Sequence, residues 1–149
     1  MKNPIRDVAP KDFPPLLLEI PDPPKKLRIR GAIPDYRGKF LCVVGSRKFS
    51  HYGKDACEKL IAGLRGFPIT IVSGLALGMD SIAHRAALES RLQTLAVPGS
   101  GLDDKALYPS IHRQLAEKII ESGGCLISEF PDDFRPTQWS FPQRNRIMA

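Results

Sequence analysis

The stretch Ile69–His84, ITIVSGLALGMDSIAH, decides how the rest of the chain is interpreted. Its first four residues are rich in β-branched types, which predicts a buried strand. A Ser-Gly turn follows, and small residues continue to Gly78, after which a helical pattern begins. A strand that passes through a Gly-rich turn into a helix presents backbone N–H groups suited to a phosphate. Many such turns only connect a strand to a helix, so the interpretation depends on the rest of the chain.

A similar arrangement lies upstream, where the apolar run Phe40–Val44 ends in Gly45-Ser46-Arg47. The run does not alternate, which predicts a strand covered on both faces. Helical and strand patterns then follow one another along the chain, with helices near 52–65, 79–91, 111–122 and from 141, and strands at 69–72, 93–97 and 125–128. This order predicts an α/β, Rossmann-like fold of three layers, in which right-handed crossovers build a parallel sheet with helices on both faces.

Residues 1–36 differ in composition, because they hold eight of the fourteen prolines. Long helices are therefore not expected there. Residues Leu27–Arg30 alternate like an edge strand with its arginines outward. We therefore divide the chain into a Pro-rich, basic segment (1–36) with a short edge strand and a Rossmann-like domain (37–149).

The bulk composition limits the class of protein. A chain of 149 residues forms one domain, and no run of eighteen apolar residues predicts a membrane span. The N-terminus lacks an apolar signal region, and the three cysteines are predicted to be buried, reduced thiols of a cytoplasmic protein. The net charge of +6 favours polyanionic partners, nucleic acid before membrane.

The carboxyl ends of the predicted strands converge on one crevice. There Gly45 allows close approach, Ser46 can donate to a phosphate oxygen and Arg47 can bind it bidentately. The alternative is a plain turn with a surface arginine. Neither a G-x-G-x-x-G nor a G-x-x-x-x-G-K-[ST] motif is present, which disfavours a dehydrogenase-type dinucleotide site and a Walker ATPase. No cofactor is predicted.

Three acids, Asp80, Asp103 and Glu129, also follow strand ends. They could hold a metal or a ribose or act as acid and base, but helix capping is favoured for Asp80. His84 is expected to be packed or hydrogen-bonded. There is no Ser/His/Asp order or H-E-x-x-H motif, so no catalytic residue and no metal ligand are predicted.

Near the end of the chain, Arg144-Asn145-Arg146 starts a helix, an arrangement suited to a phosphodiester backbone. The nearby aromatic residues could stack a base or belong to the core; they are Phe130, Trp139 and Phe141.

Several motifs occur in one order over residues 14–149. They are Leu17-Leu18-x-Ile20-x-Asp22-Pro23-Pro24, Val43–Arg47 with Tyr52-Gly53, Val72–Asp80 with Ala83-His84, Gly101–Asp103, Tyr108-Pro109, Ser128–Pro131 and Phe141-Pro142-x-Arg144-Asn145-Arg146-Ile147. With them the chain resembles the DNA-processing protein A family (DprA, also called Smf). The spacing from Asp103 to Tyr108 is a residue or two longer than is usual for the family.

The resemblance implies a non-catalytic, sequence-independent binder of single-stranded DNA that acts in natural transformation and recombination and helps to load a RecA-type recombinase. It implies that Arg47 is the principal DNA contact and that a basic residue follows Tyr108-Pro109, for which Arg113 is the nearest candidate. The predicted DNA-binding residues are Gly45, Ser46, Arg47, Lys48, Ser73, Gly74, Gly78, Arg113, Arg144, Asn145 and Arg146.

Family members continue beyond the Arg-Asn-Arg-Ile motif with further parallel strands. The resemblance therefore implies an incompletely covered sheet here, and that most of the family's homodimer surface is missing. The alternative function is a nucleotide-binding enzyme or sensor resembling the lysine-decarboxylase-like nucleoside monophosphate phosphoribohydrolases. The loop at 98–103, PGSGLD, lacks the glutamate spacing of those enzymes.

Overall fold

The computed structural model describes residues 3–149 as a six-stranded sheet with four α-helices. The strands are β1 (Ile5–Asp7), β2 (Arg28–Gly31), β3 (Lys39–Cys42), β4 (Ile69–Ser73), β5 (Gln93–Ala96) and β6 (Cys125–Ser128). The helices are α1 (His51–Ala62), α2 (Met79–Glu89), α3 (Arg113–Glu121) and α4 (Ser140–Met148). Short 3₁₀ turns lie at Pro10–Asp12, Pro15–Glu19 and Ser110–His112.

The sheet has the strand order β1-β2-β6-β5-β4-β3. Strands β3, β4, β5 and β6 are parallel neighbours, and the pairs β1–β2 and β2–β6 are antiparallel. The predicted α/β, Rossmann-like class is confirmed. The sheet is mixed rather than wholly parallel, because the N-terminal segment adds two antiparallel strands to it.

The first three helices cover one face of the sheet. Because each parallel strand lies beside the strand that precedes it in the chain, successive right-handed crossovers place their helices on the same side. The side chains of Ile71, Ala96 and Leu126 point to this face and pack against α1, α2 and α3. No helix in the described part of the chain is long and apolar enough to cross a membrane.

The opposite face is covered by the two ends of the chain. Its apolar residues include Val72, Leu95, Val97 and Ile127, and they pack with Phe13 and Leu17 from the N-terminal segment and with Ile147 and Met148 from α4. The N-terminal segment therefore shares the hydrophobic core of the residues that follow it.

Strand β2 is not an edge strand, contrary to the expectation for Leu27–Arg30, because β1 and β6 pair with its two sides. Its arginines are not both outward either. Arg30 is only 6% exposed and donates from Nη1 to the carbonyl oxygen of Leu102 at 2.8 Å and to the carboxylate of Asp104 at 2.7 Å. Arg28 forms a two-pronged pair with Asp132 at 2.7 and 2.8 Å.

The prediction that Phe40–Val44 is covered on both faces is wrong. Among residues 3–149, β3 is the last strand on its side of the sheet, and all four of its residues are exposed. Phe40 and Leu41 each expose about two fifths of their surface. The exposure extends to Cys42, so of the three cysteines only Cys57 and Cys125 are buried as expected.

Candidate functional site

A cleft of about 520 Å³ opens where β3 and β4 end. The strand order predicts that the turns after β5 and β6 share this crevice, but they do not line it. Its walls come from the turns after these two strands, from the loop before α3 and from α4. The lining residues are Cys42, Val44, Gly45, Arg47, Gly74, Ala76, Leu77, Asp80, Tyr108, Pro109, Phe141, Arg144, Asn145, Met148 and Ala149.

Arg47 and Phe141 lie beside each other in the cleft. Arg47 is exposed, and its Cζ lies 5.9 Å from the centre of the Phe141 ring, within the range of a cation–π contact. The Tyr108 ring lies 5.6 Å from that of Phe141 and is also partly exposed. Arg47 is thus an exposed cation beside two aromatic rings, and the Cζ of Arg144 lies 5.5 Å from the centre of the same Phe141 ring.

Arg144 has a different environment, since it is only 5% exposed. Its Nη1 donates to the carbonyl oxygen of Gly74 at 2.9 Å and to that of Val97 at 2.7 Å, and its Nε donates to Asn145 Oδ1 at 3.0 Å. Burial lowers the pKa of this guanidinium, and the nearby Asp80 carboxylate opposes that effect. The buried, positively charged Arg144 therefore links α4 to the ends of β4 and β5 in the wall of the cleft.

Asp80 lies in the first turn of α2, as the sequence predicts, but its side chain makes no capping hydrogen bond. The N-cap position is Gly78, and no side chain caps the helix there. The Asp80 carboxylate instead accepts from the backbone N–H of Gly45 at 3.3 Å and from that of Gly74 at 3.1 Å. Asp80 thereby links the turns after β3 and β4. The sequence predicts that the N–H groups of these turns bind a phosphate, but two of them donate to Asp80 instead.

Gly74 and Gly78 are required by close contacts in the cleft wall. A Cβ on Gly74 would lie 2.8 Å from Asp80 Oδ2 and would also overlap the guanidinium of Arg144. Gly78 has φ +83° and leaves no room for a side chain beside the backbone of the Gly45-Ser46-Arg47 turn. Met79 N–H donates to the carbonyl oxygen of Ser46 at 3.1 Å, which fixes the two turns against each other.

Two buried histidines hold Leu75, a residue with φ +62°. Thr94 Oγ1 donates to the carbonyl oxygen of Ile71 at 2.9 Å, so it accepts from His84 Nδ1 at 2.8 Å. His84 Nε2 is then left to accept from Leu75 N–H at 3.3 Å. His112 Nδ1 donates to the Leu75 carbonyl oxygen at 2.7 Å.

Burial lowers the pKa of His84 to about 3, with a smaller contribution from the charges of His112 and Arg85. The expectation that His84 is packed and hydrogen-bonded is confirmed. The role of His112 had no signal in the sequence, because its partner lies 37 positions away.

The structure brings five of the predicted DNA-binding residues together around the cleft: Gly45, Arg47, Gly74, Arg144 and Asn145. Of the others, Lys48 and Arg113 are exposed but do not line the cleft. Ser73 is buried, and its hydroxyl donates to the carbonyl oxygen of Val43 at 2.5 Å. The Ser46 hydroxyl accepts from Lys48 N–H at 3.1 Å.

Arg146 points away from the cleft. Its guanidinium pairs with the carboxylate of Glu129 and donates to the carbonyl oxygens of Gln143 at 2.8 Å and Asp22 at 2.9 Å. The Glu129 carboxylate accepts from the Arg146 guanidinium and, at 2.6 Å, from the Gln143 side-chain amide. Among residues 3–149, no three His, Cys, Asp or Glu side chains form a group suited to a metal ion.

The three aromatic residues considered for base stacking occupy different places. Phe130 is buried and stacked on Phe134, with ring centres 4.5 Å apart, so it belongs to the core. Trp139 makes edge contacts with both of these rings and is partly exposed. Of the three, Phe141 alone lines the cleft.

Comparison with known proteins gives consistent matches over nearly the whole chain. A family model described as DNA recombination-mediator protein A matches residues 5–149. Protein Smf of Escherichia coli K12 is 40% identical over an alignment of 156 residues, which covers 100% of this chain and 40% of the relative. DNA processing protein DprA of Streptococcus pneumoniae R6 is 40% identical over 133 residues, covering 89% of this chain and 46% of the relative. The chain spans less than half the length of these two relatives.

Solved structures show the same fold. The X-ray structure of DNA processing protein A from Streptococcus pneumoniae superposes with a TM-score of 0.85 at 36% identity, over 99% of this chain and 51% of that one. A second structure, described as giving insights into the unique single-stranded DNA binding mode of DNA processing protein A from Helicobacter pylori, superposes with a TM-score of 0.82 at 30% identity, over 99% of this chain and 65% of that one.

Proposed function

Because the chain belongs to the DNA-processing protein A family (DprA/Smf), we propose that it binds single-stranded DNA in the cleft, without sequence preference and without catalysis. The observation that carries the proposal is the placement of the exposed Arg47 beside the ring of Phe141, 5.9 Å from Cζ to the ring centre. A guanidinium grips a phosphate bidentately, and an adjacent aromatic face stacks a base of any identity.

The other residues of the cleft favour binding of single-stranded DNA over binding of a duplex. Phe141 and Tyr108 present aromatic faces, which are accessible only to bases that are not already stacked in a double helix. The net charge of +6 adds an attraction for the phosphate backbone that does not depend on sequence. The single-stranded DNA binding mode described for the Helicobacter pylori relative supports the same class of ligand.

The proposal that this function is non-catalytic rests on the acid in the cleft. Both carboxylate oxygens of Asp80 accept hydrogen bonds from backbone amides of the two strand-end turns. Its place in the fold is thus that of a structural link between the turns. The proposal therefore predicts binding without turnover.

The test is a titration of labelled oligo-dT and of a duplex of equal length, at about 50 mM and about 200 mM salt. We expect tighter binding of the single strand and a steep loss of affinity at the higher salt, because each phosphate contact releases counterions. Equal affinity for the two forms would contradict the proposal.

The same sample distinguishes the alternative function. A nucleotide-binding enzyme would release free base from a nucleoside monophosphate, and a nucleotide sensor would bind the monophosphate tightly without turnover. Chromatography of the incubated nucleotide and calorimetry measure these two outcomes, and either one would favour the alternative.

The description of the matching family model as a recombination mediator supports a wider role. We propose that DNA held in this cleft is passed to a RecA-type recombinase in the cytoplasm during transformation and recombination, with the longer relatives acting as homodimers. Recombinase loading onto DNA coated by a single-strand binding protein, with and without the chain, measures that role.

A further inference from the structure

A surface beside the cleft carries exposed aromatic and basic side chains that the fold does not use. It consists of Lys48, Phe49, His51, Tyr52 and Lys54, all exposed, and we call it the α1 surface. Tyr52 is 82% exposed and Phe49 is 49% exposed. Single exposed apolar residues are ordinary, but two aromatic rings within four residues, flanked by cations, form a patch.

The core does not account for the Tyr52 ring. The buried residues of α1 are Cys57 and Ile61, one turn apart on the side that faces the sheet. The Tyr52 ring adds almost nothing to that core, because most of its surface is in contact with solvent. Substitution of an exposed side chain of this kind leaves stability nearly unchanged.

The start of α1 lies near the cleft. Met79 lies between the two regions: a Cβ on Gly45 would be 2.7 Å from Met79 Cβ, and one on Gly53 would be 4.0 Å from Met79 Sδ. The start of α1 and the turn that carries Arg47 therefore both border Met79. Tyr52 is five positions after Arg47, a distance of at most about 18 Å along the chain.

We propose that a single strand of DNA that leaves the cleft past Arg47 continues over the α1 surface, where Phe49 and Tyr52 stack its bases and Lys48 and Lys54 contact its phosphates. This inference rests on the proposed function. Alternating cations and aromatic faces are the arrangement that binds single-stranded nucleic acid without reading its sequence. Lys54 Nζ lies 4.0 Å from the Glu58 carboxylate, an exposed pair that a phosphate can displace.

The test compares two lengths of labelled oligo-dT, about four and about twenty nucleotides, which bracket the site sizes of known single-strand modules. In Tyr52→Ala and Tyr52→Leu we expect affinity for the longer strand to fall by about fivefold or more, with affinity for the shorter strand unchanged. Tyr52→Trp should retain binding, since it keeps an aromatic face. The matched control is Phe67→Ala, because Phe67 is 61% exposed and precedes β4 at the edge opposite the cleft.

The outcomes separate the two proposals. If the parent chain binds neither length, the proposed function fails and this inference fails with it. If the parent binds both lengths and Tyr52→Ala binds the longer strand equally well, this inference alone is overturned. Equal weakening of both lengths would place Tyr52 in the cleft and would also overturn it, as would a dimer in sedimentation that Tyr52→Ala abolishes.

Discussion

Arg144 donates from Nη1 to the carbonyl oxygen of Gly74 at 2.9 Å, so the last helix and the turn after β4 are joined in the wall of the cleft. The same nitrogen donates to the carbonyl oxygen of Val97 at the end of β5. Arg47, by contrast, is exposed at the cleft mouth. The sequence predicts that both arginines contact DNA. Because their environments differ, we expect their substitution to have different effects on stability and on DNA binding.

Replacement of Arg144 by alanine should destabilise the protein. Two buried carbonyl oxygens would lose a charged donor, and the expected loss is about 3 kcal/mol in the free energy of unfolding. Urea denaturation monitored by circular dichroism measures it. Arg113→Ala, at an exposed position, is the control and should change stability by less than about 0.5 kcal/mol. Equal midpoints for both variants would contradict this linking role of Arg144.

Replacement of Arg47 by alanine should weaken binding of oligo-dT by about tenfold or more at low salt, because hydrogen bonds to a charged phosphate are lost. Stability should stay within about 0.5 kcal/mol of the parent. Fluorescence anisotropy measures the affinity. The control is Arg65→Ala, an exposed arginine beyond the end of α1 and away from the cleft. If both variants bind as the parent does, the assigned role of Arg47 is wrong.

Replacement of Gly74 by alanine should lower the free energy of unfolding by about 1–3 kcal/mol, because the added Cβ overlaps Asp80 and Arg144. Gly63→Ala provides the matched control. Gly63 has helical backbone angles at the end of α1, and a Cβ there would meet its nearest atoms at 3.5 Å. That change should be neutral or stabilise the protein by about 0.5 kcal/mol. Thermal unfolding of the two variants tests the difference, and a Gly74→Ala variant as stable as Gly63→Ala would argue against the close packing.

Lowering the pH should destabilise the protein through His84. Burial lowers the pKa of this imidazole from 6.5 to about 3, so below pH 6.5 the unfolded chain takes up a proton that the folded protein excludes. The free energy of unfolding should therefore fall as pH falls through this window, by at most about 1.4 kcal/mol for each pH unit. Urea titrations between pH 6.5 and 5 measure the slope before most carboxylates titrate. NMR titration of the His84 ring near pH 6 would disprove its neutrality.

The parallel strands and their helices could be predicted because the signals are local. Apolar runs and helical periodicity locate β4, β6 and α2 to within about two residues of their observed bounds. The convergence of the strand ends then follows from the topology alone. Hence Arg47 and Gly74 are expected at one cleft before any coordinates are known.

Side-chain partners distant in sequence could not be predicted. An acid in the first turn of a helix has a good local reason to cap it, yet Asp80 binds the amide of Gly45, 35 positions earlier. Arg30 alternates with apolar residues as an outward side chain does, yet its carbonyl partner, Leu102, is 72 positions later. The apolar run of β3 suggests burial, but whether a strand is covered depends on which elements lie beside it.

Because β2 pairs with β6, the sheet cannot be completed during synthesis until β6 has been made. Arg28 is opposite Ser128, so β2 leaves the ribosome about a hundred residues before its neighbour does. Until then the apolar side chains of Leu27 and Ile29, fully buried in the finished fold, lack that partner. Such long-range pairing slows folding and leaves apolar surface open to other chains in the meantime. The nascent N-terminal segment therefore exposes apolar side chains that the finished fold buries.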